Sequence, residues 1–312
     1  MPGTVTVFEV FAPDQYELLD FGTGRKLERF GHEVLDRPSP AAVGTDIVDP
    51  ELWSTATARF DLAASGKGKG EWDNAGLAAS SDEEPWSVRH GDSRLIMGLN
   101  AAGNVGVFPE QADNWDWIAE QVRHIQNDLL DRRPRVLNLF AYTGGASLAA
   151  AAAGAEVAHV DSSGPTVAWA KKNAAASGMA DLPIRWLVED AIKFAARECR
   201  RGNYYDGVIA DPPTYGHGPK GKAFKFGEHV GELMELCAEL VGERGVGGRF
   251  VLFSCHAPGF GVDDAKATVS RALPTSDATC VTAQTLDLET VDGRKLSAGV
   301  SVRWTVTGGD CP

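Results

Sequence analysis

From Arg135 onward, short apolar runs alternate with amphipathic stretches, a pattern typical of repeated strand and helix units. Parallel strands need crossover connections, so this order predicts a doubly wound, mostly parallel α/β sheet closed by an antiparallel hairpin. The predicted strands lie near 135–140, 156–161, 184–190, 204–213, 247–254, 280–288 and 298–306, and the predicted helices near 145–153, 165–177, 190–200, 228–242 and 262–272.

The first hundred residues show a different pattern, with short β-leaning runs broken by Gly, Pro and Asp. Two such runs, at 4–11 and 94–100, indicate a small β-rich module, while the polar, Gly-rich segment 63–85 predicts an exposed loop or insertion. We expect two domains, a β-rich substrate or lid module at 1–112 and a larger domain at 113–312.

A helix is predicted to begin the larger domain, with Asp113 or Asn114 as its N-cap. Its apolar positions recur at helical spacing and form one face. They are Trp117, Ile118, Val122, Ile125 and Leu129.

Composition narrows the class of protein. Of 312 residues, 43% are hydrophobic and 23% charged, which excludes a disordered or fibrous chain. Thirty basic against 43 acidic residues give a net charge of −13, so a nucleic-acid site would have to be a local basic patch. No secretory signal or membrane span is visible, and a cytoplasmic location is predicted.

Cysteine and histidine spacing argues against metal sites and disulfide scaffolds. The five cysteines are scattered without a CxxC pair, and the seven histidines show no HxxxH or HxH spacing. We therefore expect no metal, a reducing compartment, and inert cysteines apart from Cys255.

The chemistry-bearing residues follow the predicted strands, where ligands bind in an open parallel sheet. A Gly-containing turn, Phe140 to Ser147, follows the first strand; Asp161 follows the second, Glu189-Asp190 the third, and Asp211 to Tyr215 the fourth. The first three have a structural alternative, a tight turn for the Gly-containing segment and a helix cap for Asp161 and Asp190, whereas the Asp-Pro-Pro turn is harder to explain by structure alone. The occurrence of all four in order favours a ligand site.

These motifs, NLFAYTGGAS, VDSS, Glu189-Asp190 and DPPTYG, resemble those of class I S-adenosylmethionine-dependent methyltransferases. The similarity is strongest to the branch that modifies bases of large-subunit ribosomal RNA, and it covers residues 105–260. It implies a seven-stranded Rossmann-like sheet, S-adenosylmethionine as cofactor, and ribosomal RNA or a ribosomal subunit as partner.

The resemblance also implies residue roles. Asp161 with Ser162 would bind the ribose, Asp190 the adenine amino group, and Asp211 would lie beside the transferred methyl. Glu110 and Gln111 precede the linking helix in a region that closes over the cofactor in relatives. The loop residues implied to contact the methionine moiety are Phe140, Ala141, Tyr142, Thr143, Gly144 and Gly145.

Two chemistries remain open for the acceptor atom. An exocyclic amine needs acceptors such as Asp211 and the Pro212 carbonyl, in a turn that Pro213 stiffens, with Tyr215 stacking on the base. A pyrimidine carbon instead needs a thiolate, for which Cys255 is the candidate. The structural alternative for Cys255 is packing at a strand end.

Candidate RNA contacts are Lys220, Lys222 and Lys225 in the loop after DPPTYG, then Arg25, Lys26 and Arg29. The acidic net charge keeps other functions open, namely methyl transfer to a small molecule or protein, or a catalytically silent cofactor- or RNA-binding module. A nicotinamide oxidoreductase is disfavoured because the glycines do not follow GxGxxG. The oligomeric state is not predicted.

Overall fold

The computed structural model describes residues 11–63, 69–78, 84–129, 131–217, 223–242, 248–276 and 278–306. The chain divides into two compact units. The first comprises Met1–Asp113 with Asp287–Ser297, and the second comprises Asn114–Leu286 with Ala298–Pro312. No helix within the described ranges is long and apolar enough to cross a membrane.

The first unit is β-rich, as the sequence predicts. Five strands form a sheet in chain order: β1 (Tyr16–Gly22), β2 (Arg25–Phe30), β3 (Glu33–Pro38), β4 (Ala58–Leu62) and β5 (Gly70–Asp73). Neighbouring strands run antiparallel except β3 and β4, which are parallel. A separate hairpin pairs β6 (Ser87–His90) with β7 (Ser93–Ile96).

Strand β5 lies within residues 63–85, the segment that the sequence predicts to be an exposed loop or insertion. Trp72 of β5 packs on Phe60 of β4 with ring centroids 5.1 Å apart, and its indole N–H donates to the Asn100 carbonyl at 2.8 Å. The Trp72 side chain and the backbone ladder with β4 therefore anchor this polar segment to the sheet. Residues 64–68 and 79–83 of the predicted loop lie outside the described residues.

The second unit carries the predicted doubly wound sheet. Its helices are α1 (Ala112–Asp128, entering from the first unit), α2 (Gly145–Ala152), α3 (Gly164–Ala176), α4 (Ala191–Arg200), α5 (Phe226–Leu240) and α6 (Val262–Ala272). The strands are β8 (Arg135–Leu139), β9 (Glu156–Asp161), β10 (Ile184–Val188), β11 (Gly207–Ala210), β14 (Arg249–Cys255), β15 (Thr279–Glu289) and β16 (Lys295–Val306). A short hairpin, β12 (Tyr215–His217) with β13 (Ala223–Lys225), follows β11.

The order across the seven-stranded sheet is β10-β9-β8-β11-β14-β16-β15. The first five strands run parallel, and β16 runs antiparallel to β14. This confirms the predicted Rossmann-like architecture. Strand order reverses at β8, where the two neighbours β9 and β11 lead in opposite directions, and such a switch point is where this fold opens a ligand crevice.

Helix α1 starts earlier than predicted. It continues from a 3₁₀ turn over Pro109–Gln111, so Asp113 and Asn114 lie inside the helix and neither caps it. Proline fixes a helical φ at the start of that turn, which accounts for the shift. The predicted apolar face is confirmed: Ile118, Val122, Ile125 and Leu129 are buried, and Trp117 packs edge-on against Phe250.

One cysteine departs from expectation. Cys280, on β15, is disulfide-bonded, a state that the scattered spacing of the cysteines did not predict. Cys199, Cys237 and Cys255 are free thiols.

Candidate functional site

The carboxyl ends of the parallel strands bring the predicted motifs to one edge of the sheet. Strands β8, β9, β10, β11 and β14 end at residues 139, 161, 188, 210 and 255, and every predicted motif of the second unit follows one of these ends. The strands are in register, with Leu139 beside Val160 and Ala210 beside Phe253, so the motif residues are neighbours across the sheet.

The loop after β8 has an unusual backbone. Phe140, Tyr142 and Gly144 all have positive φ, at 56°, 49° and 94°. Bulky residues such as Phe140 and Tyr142 rarely adopt this region, because each incurs of order 1–3 kcal/mol of backbone strain there. Such strained residues cluster at ligand sites, where the surrounding structure holds them in place. The loop therefore makes the left-handed turns expected of glycines although the sequence lacks GxGxxG, a feature that sequence reasoning missed.

The surroundings hold this loop in place. Ala141 donates its backbone N–H to the Val160 carbonyl at 3.1 Å, and Asn173 of α3 donates its side-chain amide to the Thr143 carbonyl at 2.9 Å. A Cβ on Gly145 would lie 2.5 Å from Cζ2 of Trp115, so only glycine fits where α2 passes α1. The loop leads directly into the first turn of α2, whose N–H groups lack intrahelical acceptors.

Asp161 connects the end of β9 to this loop. Its Oδ2 accepts the backbone N–H of Tyr142 at 3.0 Å, and its Oδ1 accepts that of Ser163 at 2.8 Å. Burial raises the pKa of the Asp161 carboxyl, and the two N–H donors oppose that rise. An ionised carboxylate has about four acceptor positions, so capacity remains for hydroxyl groups of a ligand. Ser162 follows it at the same strand end, half-buried.

A buried polar chain lies beneath the loop and was not anticipated from the sequence. Asn138 donates its amide to Ser147 Oγ at 2.9 Å, and Ser147 Oγ lies 2.9 Å from Nδ1 of His159. All three side chains are buried. Burial lowers the pKa of the His159 imidazole to about 3, so the ring is neutral and joins β8, α2 and β9 without a buried charge.

The two acidic residues after β10, Glu189 and Asp190, make different contacts. Glu189 forms a bidentate ion pair with Arg197 of α4, one contact of which measures 2.7 Å. Asp190 is the N-cap of α4, its Oδ1 accepting the Lys193 N–H at 3.0 Å. The capping alternative is thus realised for Asp190, which lies at the same edge of the sheet as the other predicted motifs.

The Asp-Pro-Pro turn follows β11. Asp211 Oδ1 accepts a hydrogen bond of 2.8 Å from the hydroxyl of Ser254, near the end of the adjacent strand β14. Pro212 is buried and Pro213 exposed, and the side chain of Tyr215 is 56% exposed. An exposed aromatic ring three residues beyond a buried proline is a surface on which a planar ligand can stack.

Cys255 ends β14 but is only 1% exposed. Burial raises the pKa of its thiol to about 11, and the nearby Asp211 carboxylate acts in the same direction. The thiol is therefore protonated near neutral pH, whereas a nucleophilic cysteine needs its thiolate. His256, the next residue, is exposed.

The hairpin β12–β13 contacts the loop after β8 through an aromatic pair. Phe224 packs edge-on against Phe140 with centroids 5.1 Å apart. Lys225 is paired with Glu228 at 2.9 Å, both exposed. The other two predicted substrate lysines, Lys220 and Lys222, lie outside the described residues.

The remaining candidates belong to the first unit. Glu110 and Gln111 are buried in the turn at Pro109–Gln111. The three basic residues of β2 that are candidate RNA contacts form ion pairs with carboxylates. The pairs are Arg25 with Asp36 at 2.5 Å, Lys26 with Glu28 at 2.9 Å and Arg29 with Glu17 at 3.3 Å. Their charges are therefore largely neutralised within the unit.

The fold and this edge define a class, the Rossmann-like enzymes that hold a nucleoside cofactor between a loop at a helix N-terminus and an acidic residue on the second strand. The left-handed loop, the Asp161 carboxylate with acceptor capacity left, and the adjacent Asp190 fit a cofactor with a ribose and a charged amino-acid end. The model of the S-adenosylmethionine-dependent methyltransferase family matches residues 67–278, and the chain belongs to that family. Its cofactor is S-adenosylmethionine.

Similar proteins agree with this assignment. The crystal structure of a methyltransferase of this class from Agrobacterium tumefaciens matches with a TM-score of 0.81 and 34% identity, over 94% of this chain and 90% of that one. A second structure, SMU.776 complexed with SAH, shares the fold at 17% identity with a TM-score of 0.68, over 94% of this chain and 75% of that one.

Two curated relatives have a named activity. Ribosomal RNA large subunit methyltransferase K/L is 32% identical over 178 residues in Alcanivorax borkumensis and 34% identical over 187 residues in Hahella chejuensis. These matches cover 57% and 59% of this chain. They span only 23% of either relative's length.

Proposed function

We propose that this protein transfers a methyl group from S-adenosylmethionine to a nitrogen of a base in large-subunit ribosomal RNA. The name of the K/L relatives supports the RNA as substrate. One observation carries the choice of nitrogen: the Asp211 carboxylate is held at the sheet edge by Ser254, while the Cys255 thiol beside it is buried. We place the activity in the cytoplasm.

For the cofactor, we assign the loop Phe140 to Gly145 to the amino-acid end, Asp161 with Ser162 to the ribose hydroxyls, and Asp190 to the adenine. The left-handed backbone of the loop and the acceptor capacity of Asp161 support these roles. The bound cofactor supplies a methyl group on a positively charged sulfur.

Asp211 and the Pro212 carbonyl would accept hydrogen bonds from the base nitrogen and aim its lone pair at the methyl carbon. The Asp211 carboxylate would accept the proton that the nitrogen loses as it takes the methyl from the bound cofactor, which leaves as S-adenosylhomocysteine. Pro213 stiffens the turn, because proline fixes φ. Alignment of this kind can lower a barrier by about 7–11 kcal/mol.

A carbon target is disfavoured by the state of Cys255. Attack at a pyrimidine ring requires a thiolate, and the pKa of this thiol is raised to about 11 by burial. The adjacent Asp211 carboxylate would also repel a second negative charge. Cys255 is accordingly proposed to pack against β16 rather than to react.

Tyr215 is assigned to stack on the target base once the base leaves its helix. Its exposed ring and its place after the Pro-Pro turn support this role. Lys225, one strand away across the hairpin, pairs with Tyr215 in register and would contact backbone phosphate after exchanging its partner Glu228. With Lys220 and Lys222, it is the proposed RNA contact of this unit.

The net charge favours a second candidate, methyl transfer to a small molecule or a protein. The −13 total and the ion-paired cations of β2 leave little positive field to attract naked RNA. A folded ribosomal subunit or a different acceptor would each reduce the need for such a field.

The test is transfer of labelled methyl from S-adenosylmethionine to ribosomal RNA and to intact large subunits from cells lacking this gene. Digestion to nucleosides and mass identification then locate the methyl. We expect an N-methylated nucleoside. A carbon-methylated pyrimidine would overturn the nitrogen assignment, and no labelled RNA despite binding of S-adenosylmethionine would overturn the substrate in favour of the second candidate.

A further inference from the structure

Ser254 occupies a distinctive place beside the proposed catalytic turn. Strands β11 and β14 are parallel, with Ala210 opposite Phe253, so the next residues along the two strands, Asp211 and Ser254, lie side by side. Ser254 is 1% exposed, and its hydroxyl donates to Asp211 Oδ1 at 2.8 Å. Strand register thus brings a buried hydroxyl to the one carboxylate that the proposed chemistry uses.

We propose that Ser254 is a positioning residue for methyl transfer, fixing the rotation of the Asp211 carboxylate so that it meets the acceptor nitrogen. This inference rests on the proposed function of Asp211. A carboxylate can turn about its own side-chain bonds, and a hydrogen bond from a rigid strand to one oxygen removes that freedom. The carboxylate retains acceptor positions for the nitrogen because it has about four in all.

Rotation matters because methyl transfer is an in-line displacement. The acceptor lone pair, the methyl carbon and the leaving sulfur must lie on one line, and a misplacement of about 1 Å can cost on the order of 100-fold in rate. Ser254 lies on a strand whose neighbours Phe253 and Cys255 are buried, so its hydroxyl is fixed more firmly than one on a loop.

The chain contains a matched control for this role. Ser301 of β16 pairs with Ser254 across the antiparallel ladder and is equally buried, at 1% exposure. Within the described part of the chain, its hydroxyl has no hydrogen-bond partner. Removing this hydroxyl therefore makes the same change in the same strand pair without touching Asp211.

The experiment measures kcat and KM for Ser254→Ala, Ser254→Thr and Ser301→Ala with labelled S-adenosylmethionine and large-subunit RNA. Ser254→Ala should lower kcat by about 10- to 100-fold while the affinity for S-adenosylhomocysteine, measured by calorimetry, stays unchanged. Ser254→Thr restores a hydroxyl and should recover most of kcat, and Ser301→Ala should stay within about twofold of the parent protein.

A double variant tests whether the effect passes through Asp211. In the Asp211→Ala background, Ser254→Ala should have no further effect on the residual rate, because the group it positions is gone. An equal loss in both backgrounds would overturn the proposal. So would full activity of Ser254→Ala, or a loss in Ser301→Ala as large as that in Ser254→Ala.

Failure of the proposed function has a different signature. Full activity of Asp211→Ala would reject Asp211 as the acceptor-binding carboxylate and the positioning role with it. If the parent protein labels no RNA, a crystal structure of Ser254→Ala with S-adenosylhomocysteine still tests the positioning. A rotated Asp211 carboxylate supports the proposal, and an unmoved one overturns it.

Discussion

At the scale of single residues, the carboxylates of the site also hold the protein together. Asp161 accepts N–H groups of Tyr142 and Ser163, Asp190 caps α4, and Asp211 accepts the Ser254 hydroxyl. Each carboxylate is therefore oriented before any ligand binds. Preorientation reduces the entropy lost on binding, since fewer rotamers must be fixed.

Asp161 offers a test that separates ligand binding from helix capping. Asp161→Ala removes the proposed ribose acceptor, and we expect the affinity for S-adenosylhomocysteine to fall by about 10- to 100-fold, the worth of a hydrogen bond to a charged group. The matched control is Ser163→Ala, which removes the α3 N-cap hydroxyl that accepts the Thr166 N–H. It should cost about 1 kcal/mol of unfolding free energy and leave affinity unchanged.

Calorimetric titration and urea unfolding of the two variants give both quantities. Equal affinity of Asp161→Ala and the parent protein would restrict Asp161 to a structural role. A large loss of affinity in Ser163→Ala would show that the start of α3 matters to the ligand as much as the carboxylate does.

At the scale of elements, the alternation of apolar runs predicted the seven strands of the sheet and helices α2 to α6 to within a few residues. It did not reveal the short hairpin after β11, or β5, because that polar segment is held by its backbone ladder with β4 and by one tryptophan. The positions of the site motifs followed from their places after strands. Their partners Ser254 and His159 were missed because they lie inside strands, and only the register between strands shows which neighbour they contact.

The packing of α1 against α2 gives a prediction about stability. Gly145→Ala places a Cβ about 2.5 Å from the buried Trp115 ring and should lower the unfolding free energy by about 1–3 kcal/mol. Gly231→Ala is the control, since Gly231 is exposed within α5 and a Cβ there meets nothing within 4 Å. It should raise stability by about 0.5–1 kcal/mol. The measurement is unfolding in urea, and equal free energies of unfolding for the two variants would contradict this packing.

Strand β9 carries a pH-dependent contribution to stability. The pKa of buried His159 is about 3 in the folded state against 6.5 for the free side chain, so the unfolded chain binds a proton first as pH falls. The contribution of neutral His159 to the free energy of unfolding is complete above pH 6.5 and is lost progressively toward pH 3. At pH 4.5 the free energy of unfolding has fallen by roughly 2–3 kcal/mol.

Unfolding measured between pH 7.5 and 4.5 checks this sign. His159→Gln should flatten the decline of stability relative to the parent protein, whereas His124→Gln, at an exposed position of α1, should leave the slope unchanged. Equal slopes of unfolding free energy against pH for His159→Gln and the parent protein would contradict this, since the folded protein would then take up the His159 proton as readily as the unfolded chain.

At the scale of the whole molecule, the net negative charge repels RNA at long range. The net charge is −13, and the cations of β2 face carboxylates within their own unit. Recognition would then depend on contacts made at the catalytic edge, where Tyr215 is exposed and Lys225 holds only a surface ion pair. Surface pairs of this kind are worth about 0–1 kcal/mol and exchange readily.

The most direct test of the account compares two variants in the labelling of large-subunit ribosomal RNA. The account predicts that Cys255→Ser still forms an N-methylated nucleoside at a rate within a few-fold of the parent protein, while Asp211→Ala loses at least about 100-fold of it with S-adenosylhomocysteine binding intact. An inactive Cys255→Ser with an active Asp211→Ala, or a carbon-methylated pyrimidine as product, would contradict it.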